Sequence, residues 1–322
     1  VGEPKLVVPN ETSPHDYRLR PADAEAIENA NLVFWMGEGL TPWMERALEA
    51  LSNDTDIIEF LALEESTLLS FREGALFEAH DHSDHDDHDK DHDDHDDHDD
   101  HDKDHDDHDD HDDHDKDHDD HDDHDDHDKD HDDHDDHDDH DDHDDHAGHD
   151  HGEYDPHAWL STNNAKTWLN VIAARLSSID PDNAGAYFAN ASEARGEMDA
   201  LDVEINTMLD PVRGGKFVVF HDAYQYFETV YDFPASGAIS LGDASDPSAA
   251  RVAEIANRIK SENIACVLSE PQFNAGLVKT VMGGTDATTE VIDPLGFGIE
   301  PGKSLYPKLI RAMAQSLVNC LK

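Results

Sequence analysis

Apolar and polar positions change places along this chain in blocks that read as strands and helices taken in turn. Lys5-Leu6-Val7-Val8 is a short apolar run closed by Pro9-Asn10, and it predicts a buried strand. Arg20-Pro21-Ala22-Asp23 opens a helix, with Pro in its first turn and Ala24, Ile27 and Ala30 on one side. Leu32-Val33-Phe34-Trp35-Met36 predicts the next strand, stopped by Gly37 and Gly39. Pro42 to Leu51 predicts a helix, and Asp56-Ile57-Ile58-Glu59-Phe60 a third strand. Strand and helix alternating in this way point to a parallel α/β sheet.

The alternation resumes after Tyr154. A helix carries Trp168, Ile172 and Leu176, and a longer one runs from Pro181 to Leu209. Tyr187, Ala191, Met198, Leu201, Ile205 and Met208 lie along the longer helix near heptad spacing. A helix of this length suits a spine between two lobes, or an ordinary surface helix. Phe217-Val218-Val219-Phe220 predicts a strand ending at His221-Asp222, and Ala235 to Leu241 another. Pro247 to Glu262 is a helical pattern, Ile264 to Leu268 a strand ending at Ser269-Glu270-Pro271, and Glu290-Val291-Ile292 a strand ending at Asp293-Pro294. A last helix carries Leu309, Ile310, Met313, Leu317 and Cys320. The expected architecture is two parallel-sheet α/β lobes joined by a long rigid helix. Residues 1–180 form the N-terminal lobe, 181–212 the linking helix and 213–322 the C-terminal lobe.

Between the two alternating regions lies His80 to His151, which is almost nothing but Asp and His. It holds 41 Asp, 24 of the chain's 27 His, and Lys at 90, 103, 116 and 129. Such a run has almost no apolar side chain to bury and repels itself, so it predicts a disordered insertion in the first lobe. It also carries most of the chain's formal charge of −57, which argues against nucleic acid and anionic membrane surfaces as partners. Imidazole and carboxylate together are ligands for divalent transition metals. His at every third position would drift around an α-helix but line one edge of a polyproline-like chain. His80, His82, His85, His88, His149 and His151, at the two ends of the run, are candidate members of an auxiliary metal-binding loop. No apolar stretch has transmembrane length, and no signal peptide is visible. A chain opening at Val1 reads as a fragment or a processed product. Cys266 and Cys320 fit one disulfide in an oxidising compartment, or two buried thiols.

Outside the run the only histidines are His15, His157 and His221, and all three fall in predicted loops or at a strand end. His221, Glu270 and Asp293 each stand just beyond the carboxyl end of a predicted strand, where ligands bind in open α/β sheets. Three neutral imidazoles make a good Zn²⁺ site with a fourth position open. Mg²⁺ and Ca²⁺ would want oxygen cages, and Mn²⁺ more carboxylate. Glu270 and Asp293 are candidates for the fourth ligand or for nearby hydrogen bonding. Asp222 reads as a second partner of the site or a helix cap, and Trp159, Phe220, Tyr224 and Tyr226 as lining or core.

Six motifs then stand in a recognisable order: SPHDYRLRP (13–21), NANLVFWMGEGL (29–40), DPHAWLS (155–161), FVVFHDAYQYFE (217–228), CVLSEPQF (266–273) and IDPLG (292–296). With them the chain resembles the substrate-binding proteins of bacterial high-affinity zinc ABC transporters, of the kind with a His-rich loop. The resemblance implies two α/β lobes on a long helix, and Zn²⁺ held between them by His15, His157 and His221. It implies a Cys266–Cys320 disulfide, a periplasmic monomer, and a role as a receptor rather than an enzyme. The implied partner is a membrane permease, with periplasmic metal chaperones as further candidates and no direct membrane insertion. The His/Asp run becomes an auxiliary zinc collector. Pro14 stands where some members have Glu, which leaves water, a loop His or Asp293 for the fourth ligand. Manganese-binding relatives have Glu in place of His221, so His221 speaks for zinc. The family's usual first strand and helix read as missing ahead of Val1. Competing readings are a metal buffer in which the run is the function, a manganese receptor, and a zinc hydrolase with Glu270 as base.

Overall fold

In the computed structural model the apolar runs become parallel strands in two sheets. The structure describes residues 2, 4–9, 12–15, 17–51, 55–72, 77, 154–240, 247–272 and 275–322. The His/Asp run, with the candidate loop histidines His80, His82, His85, His88, His149 and His151, lies outside the described residues.

The first sheet pairs β1 (Leu32–Trp35) with β2 (Asp56–Glu59) in parallel, Val33 opposite Ile57 and Phe34 opposite Ile58. Helices α1 (Pro21–Glu28) and α2 (Met44–Leu51) pack on each other, and Ile27, Met44 and Leu48 meet Val33 of β1 in a small core of their own. The other face of β1, with Leu32 and Phe34, packs toward the main core. Gly37 turns the chain out of β1 at a φ of +137°, and a Cβ there would come within 2.8 Å of Glu59 Oε1.

The second sheet runs in the order β4 (Ala238–Ser240), β3 (Phe217–His221), β5 (Cys266–Ser269), β6 (Thr288–Val291), all parallel. Helices α5 (Gln225–Tyr231), α6 (Ala249–Ser261) and α7 (Ala275–Val281) make the crossovers. The sheet is covered on both faces, which is why Phe217-Val218-Val219-Phe220 is apolar without alternation. Phe217 and Val219 enter the main core, while Val218 and Phe220 enter a second core with Ile255, Ile259 and Val278.

Helix α3 (Thr162–Ile179) lies along α4 (Ala184–Leu209), and α4 in turn packs on α5 and on α8 (Leu305–Leu321). Ala191, Met198, Leu201 and Ile205 of the heptad-like stripe are buried on α4, whereas Tyr187 and Met208 are only partly so and Leu209 is buried in addition. Pro181–Asn183 makes a tighter 3-10 turn ahead of α4. Cys266 of β5 and Cys320 of α8 are joined in a disulfide, their Cα atoms 5.6 Å apart.

Two expectations change. Lys5 to Val8 forms no strand: Leu6 is 62 % exposed, and among the described residues no strand lies beside this run to give it a ladder. His221 is the last residue of β3 rather than one beyond it. Helix α7 has little helical signature in sequence, because its seven residues include Gly276 and the β-branched Val278, Thr280 and Val281.

Candidate metal centre

His157 is set by its own tripeptide. Asp155 folds back on it, Oδ1 accepting from the His157 backbone N–H at 2.9 Å and lying 2.7 Å from its Nδ1. An ionised carboxylate only accepts, so Nδ1 is the ring's donor and Nε2 faces outward with its lone pair. With the Gln225 amide turned so that its nitrogen faces the two acceptors around it, that nitrogen donates to the second oxygen of Asp155 and to the Ser70 carbonyl, each at 3.2 Å. The Tyr226 hydroxyl donates to the Asp155 carbonyl at 2.9 Å and accepts from the Leu69 N–H at 3.0 Å. Trp159 covers the ring, centroid to centroid 5.3 Å, and its indole N–H donates to the Pro294 carbonyl at 2.9 Å. Ser161 caps α3 immediately after this turn.

His221 repeats the design from the second sheet. Its Nδ1 is 2.6 Å from Glu270 Oε1, at the end of the neighbouring strand β5, and Gln272 Nε2 donates to Glu270 Oε2 at 2.8 Å. The two strand ends meet because β3 and β5 are adjacent and parallel. The Tyr224 ring stands edge-on to His221 at 6.2 Å, and burial, then the Glu270 charge, push its phenol well above its ordinary value. The outcome of both arrangements is that the Nε2 atoms of His157 and His221 face each other at 3.4 Å, both rings buried.

Arg72 braces this arrangement from behind. Its Nε lies 3.0 Å from each oxygen of Asp222, its Nη2 also meets Asp222, and its Nη1 meets Glu228 at 2.7 Å. Burial pushes the Asp222 and Glu228 carboxyls up, and the Arg72 guanidinium pulls against that. Asp222, read as a partner of the site or a helix cap, caps no helix and sits in a buried ion network directly beside His221.

His15 comes from the α1–α2 side. The Trp43 indole N–H donates to the Pro14 carbonyl at 2.9 Å, and the Tyr17 hydroxyl donates to Asp23. Hydrogen bonds from Arg20, then from Tyr17, hold the Asp23 carboxyl down at about 2. The loop so held brings the half-buried His15 ring to 5.7 Å from the His157 ring. The fold therefore gathers the three predicted histidines in one place. Among the described residues, no group of three His, Cys, Asp or Glu side chains is yet set to share an ion as it stands.

Compared with known families, residues 1–320 fit the ZnuA family, described as zinc-uptake complex component A, periplasmic. The chain belongs to this family. The high-affinity zinc uptake system protein ZnuA of Brucella abortus (strain 2308) is 42% identical over 321 residues, which cover 100% of this chain and 86% of that protein. A crystal structure of ZnuA shares the fold with a TM-score of 0.64 at 21% identity, over 99% of this chain and 90% of that one. So does the binding protein FpvC of Pseudomonas aeruginosa in complex with Mn²⁺, with a TM-score of 0.65 at 18% identity, over 98% of this chain and 88% of that one.

The other predicted site residues take different places in this ZnuA-family chain. Glu270 is occupied as the partner of His221 and Gln272. Asp293 shapes the loop after β6, one oxygen accepting from the Leu295 N–H at 2.9 Å and the other from the Phe297 N–H. It lines a small cavity with Thr12, Ser13 and Gln272, beside the His15 loop. Asp155, Gln225 and Arg72 had been given no role. The Asp-Pro-His spacing could have exposed Asp155, since Asp two residues ahead can fold onto the following backbone. Nothing in the sequence points to Arg72, whose partners lie 150 and 156 positions away.

Proposed function

We propose that the chain is an extracytoplasmic Zn²⁺ receptor that takes the ion on His15, His157 and His221 and passes it to the permease of an ABC transporter. One observation carries this reading: two imidazoles, each with Nδ1 anchored on a buried carboxylate, turn their Nε2 atoms toward a common point. Carboxylate-anchored histidines are the form that binds transition metals, with the tautomer fixed before the ion arrives. A fold shared with a Mn²⁺ complex leaves the choice of metal to the donors, and nitrogen-rich donors favour zinc. A fourth position is left for water or for Asp293. We take residues 1–180 and 213–322 as the two lobes and 181–212 as the link between them.

Receptor rather than hydrolase is favoured by Glu270. A zinc hydrolase would need it as a general base, and here it is spent on His221 and Gln272. Among the described residues no helix is long and apolar enough to cross a membrane, so transfer inward is assigned to the permease. The His/Asp run is assigned the role of an auxiliary collector feeding the tight site.

Zinc competition against a chelating dye tests the reading, on the full chain and on a variant lacking residues 80 to 151. The expected result is one tight zinc in both, with many weaker ions lost on deletion. A shortened chain that folds but holds no tight zinc would replace the receptor with the metal buffer. A second expected result concerns Glu270→Gln, which keeps the shape but swaps an anionic acceptor for an amide. Zinc affinity should fall by roughly 10- to 100-fold, the range for partners of metal-bound histidines. An unchanged affinity would mean that Glu270 does not orient His221.

A further inference from the structure

The turn that carries His157 is held by a hydroxyl standing where a backbone bond would be. The chain segments on either side of the His/Asp run meet as a short antiparallel pair, Ser70 opposite Tyr154. Next to that pair the Asp155 N–H donates to the Leu69 carbonyl at 2.8 Å. Two such residues in an antiparallel ladder exchange both of their bonds, so the Leu69 N–H would return to the Asp155 carbonyl. Here it donates instead to the Tyr226 hydroxyl at 3.0 Å, and that hydroxyl donates to the Asp155 carbonyl at 2.9 Å. Tyr226 is inserted into the ladder and relays the missing bond.

That hydroxyl comes from the His221 side of the metal centre. Tyr226 lies on α5, shortly after His221, and is buried. Burial pushes its phenol up, so the hydroxyl keeps the proton it donates. Its neighbour Gln225 donates to Asp155 Oδ2 and to the Ser70 carbonyl, each at 3.2 Å, with its amide nitrogen turned toward them. The first turn of α5 therefore grips both segments of the pair, and it grips Asp155 at its carbonyl and at its carboxylate. The other carboxylate oxygen of Asp155 is the one that faces His157 Nδ1 at 2.7 Å. Because His221 and Tyr226 belong to one short stretch, this grip sets the His157 ring against the His221 ring, Nε2 to Nε2 at 3.4 Å.

The chemistry of a phenol suits this place. One hydroxyl both accepts and donates, which is what an N–H and a carbonyl held apart across a ladder require. Phenylalanine would fill nearly the same volume but leave both backbone groups without a partner. Leu69 and Asp155 could then close on each other directly, and the Asp155 carboxylate would be drawn off the His157 ring.

We propose that Tyr226 is a positioning residue of the zinc site, which acts through Asp155 to hold the His157 ring with its Nε2 toward His221, and that Gln225 supports it. This rests on the three-histidine reading above. Tyr226 is assigned no bond to the ion. Its effect on zinc passes through the Asp155 carbonyl, the Asp155 carboxylate and His157 Nδ1 in turn.

The test reads zinc affinity and ring N–H protons on the full chain. In the metal-free protein the Nδ1–H groups of His157 and His221, each on a buried carboxylate, should give two low-field proton resonances. Each is assigned by its loss in His157→Ala or His221→Ala. Tyr226→Phe should weaken the tight zinc about tenfold in competition with a chelating dye, the lower end of the range for partners of metal-bound histidines. It should also shift or broaden the His157 resonance and leave that of His221 in place. Gln225→Ala, at a half-buried position, should act in the same direction but less strongly, and it carries the test if Tyr226→Phe does not fold. Unchanged affinity in the folded variant, or a loss of affinity that moves both resonances or neither, overturns the assignment. His157→Ala tells this failure from that of the reading beneath it. If that variant keeps its tight zinc, the ligand set falls, whereas a large loss there with no effect of Tyr226→Phe removes only the positioning role.

Discussion

Replacing His157 by alanine should weaken the tight zinc site by about a thousandfold. Zinc held by protein side chains is worth roughly 10–16 kcal/mol, so one of three imidazoles carries about 4 kcal/mol. The change also removes the ring partner of Asp155 Oδ1 and leaves it the backbone N–H of residue 157. His221→Ala should cost about as much for the same reason, through Glu270. His82→Ala, within the His/Asp run, should leave the tight site unchanged and remove only weak ions. Competition with a chelating dye on the variant lacking residues 80 to 151 measures the first effect without the background of the run. If His157→Ala still held zinc as tightly, the site built by Asp155, Glu270 and the facing rings would not be the receptor site.

The parts of this fold that could be read from the sequence are those enforced locally. Phe217 to Phe220 could be read as a buried strand because a sheet covered on both faces leaves no polar position to fill. The stripe on α4 could be read because the helix packs along α3 and α8. The three histidines could be singled out because the rest of the chain outside the run holds none. What stayed hidden was what distance in sequence conceals. Lys5 to Val8 has the composition of a strand, but a strand also needs a neighbour, and composition says nothing of that. Glu270 was a candidate for ligand or for nearby hydrogen bonding from its place at a strand end, and only the adjacency of β3 and β5 shows its carboxylate against Nδ1 of His221. Asp293 was a candidate for the same reason, and only the structure shows each of its oxygens also accepting an N–H from the turn at Leu295 and Phe297.

The two carboxylate–histidine units also say why such a site suits capture and release. Each ring is held in one tautomer by a partner of its own, so little order remains to be imposed when the ion arrives. Binding can then be tight without the ion being enclosed on all sides.

Arg72→Ala is expected to destabilise the protein by roughly 3–5 kcal/mol, the cost of leaving buried charges without their partner. Arg72 is the counterion of two carboxylates, Asp222 and Glu228, all three largely buried. Its plane also lies 3.5 Å from the centre of the Phe77 ring, so packing is lost together with charge. Arg72→Lys should recover only part of the loss, since an ammonium cannot reproduce the forked contacts to two acids. The decisive control is neutralisation. Asp222→Asn with Glu228→Gln, added to Arg72→Ala, should restore a large share of the stability, because the cost lies in the stranded charges rather than in the missing side chain. Denaturant unfolding of the metal-free chain measures each variant. If the triple variant is no more stable than Arg72→Ala, the network contributes through packing alone. Zinc affinity read on the same proteins shows whether the network matters to the site. Asp222 follows His221 directly, so a chain that folds without Arg72 should hold zinc less tightly, even after stability has been restored.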